Sequence, residues 1–285
     1  MTDLPPDLLV FGQTGQVARE LARFEGVTCM GREQADLTDP GACEALIAQS
    51  DAQVVINAAA YTAVDKAEED RDTAMVVNAM APAAMAAACA AKGIPFVHIS
   101  TDYVFDGSGT ASWRPEDTTG PLGVYGQSKL GGERGVAATG GTYAILRTSW
   151  VFSAHGNNFL KTMLRLSETR DHLTIVADQI GGPTPAGAIA EACVEIAKTL
   201  LSEPEKGGIY HFSGAPDTSW AGFAREIFSV AGRDVTVENI LTSAYPTPAT
   251  RPLNSRLDCS SLTSQFGITR PDWRRATKEL VKALT

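Results

Sequence analysis

Tyr125 and Lys129 stand four residues apart in the run Tyr125-Gly-Gln-Ser-Lys129, at the start of a stretch whose composition predicts a helix. Residues so spaced share one helix face, so the phenol and the ammonium point the same way. An isolated phenol has a pKa of about 10 and exchanges protons poorly near neutrality. A neighbouring cation favours the phenolate, and Lys129 is therefore expected to bring the Tyr125 pKa down toward the range in which general acid–base chemistry works. Thr101, at the end of the apolar run Pro95-Phe-Val-His-Ile-Ser100, adds a hydroxyl at the carboxyl edge of the predicted strand before it. Tyr-x-x-x-Lys also arises by chance on many helices, so the pair gains meaning only from the elements around it. Of the six tyrosines, Tyr125 alone has a lysine four residues on.

Those elements begin with Leu8-Leu-Val-Phe11, a short apolar run of the kind that forms a buried parallel strand. It leads into Gly12-Gln-Thr-Gly15-Gln-Val-Ala18 and an amphipathic helix to about Phe24. Strand, glycines and helix in that order let backbone amides and a helix amino end approach a pyrophosphate, with Gly12 and Gly15 at the close points. The second strand is predicted at 27–30, followed by Gly31-Arg32. An acid near this place would bind an unphosphorylated ribose, whereas an arginine accepts a 2′-phosphate. Arg32 therefore favours NADPH, with NADH as the alternative because Glu33 follows directly. Asp36 is placed to meet an adenine amino group or simply to make a turn, and Asp39-Pro40 starts the next helix.

Val54-Val-Ile-Asn57 predicts a third strand, and the small residues after it, Ala58 to Ala60, permit close approach of a flat ligand. Tyr61 and Thr62 then fall at the carboxyl edge of the sheet, where ligands bind in open α/β folds. The acidic run 65–70 reads as a solvated first turn. Asn78 is a polar exception in an otherwise helix-forming, apolar segment 73–91, either supporting the strand edge or satisfied by backbone as a buried amide. The segment 108–121, rich in Gly, Thr and Pro, reads as a surface loop over the site. Tyr143 to Thr148 predicts a fifth strand. The alternation predicts an α/β fold with a doubly wound parallel sheet of the Rossmann type.

Beyond Phe152 the texture changes. Helices are expected near 159–170, 186–201 and 220–230, and strands near 173–176 and 208–212, with a Pro-punctuated loop at 245–257. The predicted organisation is a dinucleotide-binding part, mainly 1–153, and a smaller carboxyl-terminal substrate-binding lobe, mainly 154–285, with 173–212 returning to the main sheet.

Composition narrows the partners. The chain has 285 residues, 44% hydrophobic and 20% charged, and a net charge of −9 without a basic cluster. Phosphate-backbone binding needs many positive contacts, so nucleic acid is not expected. The first six residues lack the basic and apolar regions of a secretion signal, and the Ala-rich stretch 79–91 is too short to span a bilayer, so no membrane is expected. Five scattered cysteines without Cys-x-x-Cys fit a reduced, cytoplasmic protein. Four dispersed histidines offer no zinc site.

Taken together, Asn57-Ala-Ala-Ala-Tyr-Thr-Ala-Val-Asp-Lys-Ala-Glu68, Ser100-Thr-Asp-Tyr-Val-Phe105, Val124-Tyr-Gly-Gln-Ser-Lys-Leu130, Arg147-Thr-Ser-Trp-Val-Phe152, Asp178-Gln-Ile-Gly-Gly-Pro-Thr184 and Ala244 to Leu257 resemble one family. It is the dTDP-4-dehydrorhamnose reductases, extended short-chain dehydrogenase/reductases that act on nucleotide sugars, and the likeness spans roughly residues 8 to 273. The resemblance implies reduction of the C4 ketone of dTDP-4-dehydro-6-deoxy-L-mannose to dTDP-L-rhamnose by NADPH. By it, Tyr125 protonates the carbonyl oxygen, Lys129 lowers the tyrosine pKa and holds the nicotinamide ribose, and Thr101 bonds the reacting oxygen. Gly15, Gln16, Val17, Asp36, Leu37, Ala60, Tyr61 and Thr62 match the family's cofactor contacts. Thr101, Asp102 and Trp150 match its sugar contacts, and Arg251, with Arg256, is assigned to the diphosphate. The protein is expected as a monomer or homodimer.

Three departures stand out. Ala18 replaces the usual third glycine, and Met30-Gly31-Arg32 stands where relatives often carry an acid. Gly187 occupies the place of a glutamate that binds magnesium in some relatives, so no metal is expected. Two alternatives are set beside the reductase reading. A nucleotide-sugar dehydratase would resemble others in a Thr-Asp-Glu run, where this chain has Thr101-Asp102-Tyr103. An NADP-binding regulatory subunit of the methionine adenosyltransferase type would keep the fold without turnover.

Overall fold

The computed structural model describes residues 7–285. Residues 1–6, on which the reading of no secretion signal rests, lie outside the described residues. Six parallel strands form the central sheet, ordered Gly208–His211, Tyr143–Thr148, Phe96–Thr101, Val54–Asn57, Leu8–Phe11, Val27–Met30 from one edge to the other. Successive side chains of a strand point to opposite faces, and here both faces are covered. Val10, Ile56, Val97 and Leu146 pack into one apolar cluster with the helix Ala186–Ser202. Their neighbours Phe11, Val55, Phe96 and Ile145 pack into a second cluster with the helices Pro40–Gln49 and Ala81–Lys92. Burial on both faces is why these strands read as continuous apolar runs in the sequence.

The order of strand addition reverses at Leu8–Phe11, which has Val27–Met30 on one side and Val54–Asn57 on the other, all of them parallel. A crevice opens at the carboxyl ends of the strands at such a switch point. A third apolar cluster lies apart from the sheet cores. It joins Phe152 of the short strand Val151–Phe152 to Leu160, Phe223, Ile227, Trp273 and Val281 from the helices Phe159–Leu166, Trp220–Val230 and Trp273–Leu284.

Three expectations need correction. The strand His172–Val176 does not return to the main sheet; it pairs in parallel with Thr236–Ile240, and only Gly208–His211 rejoins the main sheet. Most of its side chains are exposed or only half-buried, which suits a ribbon on the outer lobe and not the interior of a doubly covered sheet. The loop 108–121 lies at the surface but contributes no residue to the crevice lining; Trp113 Nε1 donates to Asn254 O at 3.1 Å and Asn254 Nδ2 donates to Ala111 O at 2.8 Å, which ties it to the segment around Asn254 instead. The helical run Arg71–Lys92 has 22 residues and a mean hydropathy of 1.6, so by length and composition it could cross a membrane. Half of its apolar window is buried inside the protein, against Pro40–Gln49 and Val124–Ala137, and that packing explains the hydropathy.

The helix Val124–Ala137, which carries Tyr125 and Lys129, is fixed to the sheet in two ways. Gly126 lets it approach closely, since a Cβ there would strike the Tyr103 carbonyl. Glu133 forms a bidentate ion pair with Arg147 of Tyr143–Thr148, Nε to Oε1 at 2.9 Å and Nη2 to Oε2 at 2.7 Å, and both are buried. Ser100 Oγ also donates to Glu133 Oε1 at 2.5 Å. Removing one partner of such a pair strands the other charge in the interior. Glu133→Leu is therefore expected to lower unfolding stability by about 3–5 kcal/mol, read from urea denaturation. An unchanged midpoint would show that Arg147 is satisfied without it.

Candidate active site

The cleft at the switch point has a volume of about 1180 Å³. Its first wall follows the strand Leu8–Phe11. Gly12 has φ of 119°, and a Cβ there would meet Ala18 Cβ and the Ala58 backbone at 3.3 Å, so only glycine lets the chain turn so close to the next strand. Gly15 caps the helix Gln16–Leu21 without a side-chain hydrogen bond, leaving its first amides to the cleft. Gln16 Oε1 accepts from Ser153 Oγ at 2.8 Å and from Asn158 Nδ2 at 2.9 Å, tying this wall to the outer lobe.

Arg32, Asp36 and Leu37 line the far end. Arg32 Nε donates to Asp36 Oδ2 at 3.2 Å, and the Thr38 amide, with Arg32, holds the Asp36 carboxyl below its usual range. Ala60, Tyr61 and Thr62 form the middle. Here Asn78, in a π-helical turn Val76–Met80, accepts from Tyr61 N at 2.8 Å and donates to Tyr61 O at 3.0 Å and to Ser128 Oγ at 3.0 Å. One buried amide thus both supports the strand edge and is satisfied by backbone. π turns of this kind recur at functional sites.

The acidic run is solvated at Lys66, Glu68 and Glu69, but its carboxylates also have partners. Asp65 accepts from Ala249 N and Arg251 Nη2, at 3.1 and 2.7 Å. Glu68 Oε1 accepts from Val124 N at 2.9 Å, capping the helix that bears Tyr125, and Asp70 accepts from the Tyr61 hydroxyl at 3.1 Å. These carboxylates serve amides and a hydroxyl that would otherwise lack partners at the cleft rim.

Thr101, Asp102, Tyr125, Lys129 and Trp150 meet at the near end of the cleft. Thr101 Oγ1 accepts from Tyr103 N at 3.2 Å and donates to Asp102 Oδ1 at 3.0 Å. Burial raises Asp102 to about 6, against hydrogen bonds from Ser255 and Thr101. Thr148 Oγ1, on the strand beside Thr101, is buried without a partner among the described residues. Lys129 is buried, its Nζ donating to Ile99 O at 2.7 Å and lying 3.2 Å from His98 Nε2. Burial lowers its pKa to about 8, with Glu133 opposing.

One expectation about the pair fails. Burial pushes the Tyr125 phenol up to about 12, the neighbouring Thr101 hydroxyl opposing and the Asp102 charge adding to the rise. Lys129 does not bring it down, because its amine is engaged with Ile99 and His98. In this state the phenol is a protonated donor. Arg251, like Arg256, is not brought to the cleft lining, unlike the other predicted site residues. It is bound to Asp65, and its Nη1 is buried without a hydrogen-bond partner among the described residues.

Trp150 takes φ of 49°, a left-handed conformation that a bulky side chain adopts only under constraint. Trp220 supplies that constraint, stacked on it with ring centroids 3.7 Å apart at 12°. Trp220 Nε1 donates to Gln179 Oε1 at 3.0 Å, which fixes the ring in turn. The sequence shows Trp220 only as an aromatic at a helix start. Likewise Asn57 and His98, in contact at 3.2 Å beneath Lys129, are visible there only as polar residues in apolar strands.

The RmlD substrate binding domain family model matches residues 6–285. A dTDP-4-dehydrorhamnose reductase of Sinorhizobium fredii is 46% identical over 97% of this chain and 97% of its own, and one of Burkholderia thailandensis 45% over 97% and 98%. The crystal structure of a Bacillus anthracis dTDP-4-dehydrorhamnose reductase in complex with NADP superimposes with a TM-score of 0.90 at 31% identity, covering 98% of this chain and all of that one. A Clostridium acetobutylicum counterpart superimposes with a TM-score of 0.90 at 37% identity, covering 97% and 99%.

The stacked indoles should give an exciton couplet in far-ultraviolet circular dichroism. Trp220→Leu is expected to abolish it and to cost about 0.5–1.5 kcal/mol beyond the lost apolar burial. A couplet that survives the substitution would separate Trp150 from Trp220.

Proposed function

The chain belongs to the dTDP-4-dehydrorhamnose reductase family, and from that premise we propose that it reduces the C4 ketone of dTDP-4-dehydro-6-deoxy-L-mannose with Tyr125 as proton donor. The observation that carries the assignment is the convergence of Tyr125, Thr101 and Lys129 at one end of a single cleft whose other end carries Gly12, Gly15 and Arg32.

The residues fit a nicotinamide dinucleotide. The turn at Gly12 brings backbone where a side chain would block it, and the uncapped start of Gln16–Leu21 suits a pyrophosphate. Gln16 and Val17 flank that position. Ala60, Tyr61 and Thr62 would face the middle of the molecule, and Arg32, with Asp36 and Leu37, the adenosine end. Arg32 is 78% exposed at its side chain, so its pairing with Asp36 is readily exchanged for a 2′-phosphate. NADPH is the coenzyme this arrangement suits, with NADH as the second choice. Bound there, the reduced nicotinamide supplies the hydride.

The chain's own part is the proton and its position. Tyr125 Oη holds a proton firmly and releases it to the ketone oxygen as negative charge develops on that oxygen. Thr101 Oγ1, held by Asp102 and the Tyr103 amide, is placed to bond the same oxygen once its single proton turns from Asp102 to the ketone. Lys129, charged below a pKa of about 8, would hold the ribose hydroxyls of the bound coenzyme. Positioned proton transfer of this kind contributes roughly 10²–10⁴-fold to rate. Trp150 forms the wall for the sugar, and Arg251 is assigned to the diphosphate through its unpartnered Nη1. A soluble homodimer or monomer in the cytoplasm completes the reading.

Two variants test it. Tyr125→Phe is expected to bind NADPH as the parent does while turnover of dTDP-4-dehydrorhamnose falls by roughly 10²-fold or more, followed by NADPH absorbance. Undiminished turnover would remove Tyr125 as donor, and NADPH binding without turnover by the unaltered protein would favour a regulatory subunit. Arg32→Ala should raise the KM for NADPH about tenfold and leave that for NADH nearly unchanged, the value of one charge-assisted contact.

A further inference from the structure

His98 is fully buried, and each of its ring nitrogens faces a nitrogen that donates hydrogen bonds. Asn57 Nδ2 lies 3.2 Å from Nδ1, and Lys129 Nζ lies 3.2 Å from Nε2. A neutral imidazole carries one N–H and one acceptor, so it accepts from only one of two donors. Its pKa is held well below the usual value, by burial first and then by Lys129, so the ring is neutral. The Asn57 amide is not at liberty to turn over, because its Oδ1 accepts from Ala59 N at 3.1 Å. Nδ1 is then the acceptor and Nε2 carries the proton. The remaining contact closes only if the lysine nitrogen accepts, which a neutral amine does and an ammonium does not.

We propose that His98 and Asn57 are positioning residues that couple the charge of Lys129 to the tautomer of His98 and to the Asn57–Ala59 contact at the cleft floor. With Lys129 neutral, the ring proton sits on Nε2 and the contacts are those observed. When Lys129 takes up one proton from solvent at Nζ, the ammonium donates to Nε2, and the single ring proton moves to Nδ1. Asn57 must then offer its oxygen to Nδ1 and loosen its hold on Ala59 N–H. Ala58, Ala59 and Ala60 all line the cleft, so the state of the lysine is felt where the cofactor would lie.

The other ionisable groups on the elements around Lys129 are accounted for. Glu133, one turn on, is neutralised by Arg147 across the strand Tyr143–Thr148. Tyr125 on the same helix and Asp102 after Phe96–Thr101 face the cleft end, with Lys66 and Asp70 across from them. Neither nitrogen of His98 contacts any of these.

The proposal rests on the reductase reading for its consequence in catalysis, but its first test does not need turnover. Nitrogen-15 spectra of histidine-labelled protein should show His98 protonated at Nε2 at pH 9.5 and at Nδ1 at pH 6.5, without an imidazolium at either. A single tautomer across that range overturns the coupling, whatever the enzyme acts on. In Asn57→Asp the carboxylate accepts from Nδ1, so the ring should stay in the Nδ1–H form throughout. The alkaline fall of kcat/KM for NADPH should then move up by about one pH unit, roughly a tenfold gain on the falling limb. A merely structural role for Asn57 would lower thermal stability and leave both the tautomer pattern and the limb where they are in the parent. Should that variant fail to fold, the spectra of the unaltered protein decide alone.

Discussion

Burying the end of a lysine side chain is the constraint from which much of this cleft follows. An amine taken out of water must find acceptors in fixed places, or its charge is lost. Lys129 is 1% exposed, and its nitrogen meets the Ile99 carbonyl and the His98 ring beneath the sheet edge. That arrangement demands a particular depth of the helix Val124–Ala137 against Phe96–Thr101. Gly126 provides the approach and Glu133–Arg147 the anchor. Glu133, one turn away, is already committed to Arg147, so Lys129 has no salt bridge of its own among the described residues and stays responsive to what enters the cleft.

Tyr125 lies on the same helix one turn earlier and experiences the same burial with the opposite consequence. Desolvation favours the neutral form of both groups, which lowers the amine and raises the phenol. The site therefore holds a proton on the phenol and only loosely on the lysine. For ketone reduction that is the useful order, because the phenol must arrive protonated and become stabilised only as it gives the proton up. The supporting residues act on geometry: Thr101 through Asp102, Trp150 through Trp220, the cofactor floor through Asn57 and Asn78.

Much of this was legible in the sequence. Apolar runs at 8–11, 54–57, 96–101 and 143–148 marked strands because both sheet faces are buried. Gly12 and Gly15 between a strand and a helix marked the phosphate end. What stayed hidden depends on register and on distance along the chain. Asn57 and His98 are partners across adjacent strands, 41 residues apart, and nothing local announces it. The strand His172–Val176 looks no different in sequence whether it joins the main sheet or pairs with Thr236–Ile240. Asp65, Glu68 and Asp70 look solvated because their partners, at Ala249, Val124 and Tyr61, lie elsewhere in the chain. The fall expected in the Tyr125 pKa came from spacing alone, which carries the direction of a side chain but not its desolvation.

The most direct measurement is the titration of the Tyr125 phenol itself, by carbon-13 label at Cζ in the cofactor-free protein, with Tyr125→Phe identifying the signal. The account requires the phenol to stay protonated through pH 10, as burial toward a pKa of about 12 implies. A Cζ shift characteristic of phenolate at or below pH 8 would contradict it, and would mean that the lysine charge, not burial, governs the proton donor.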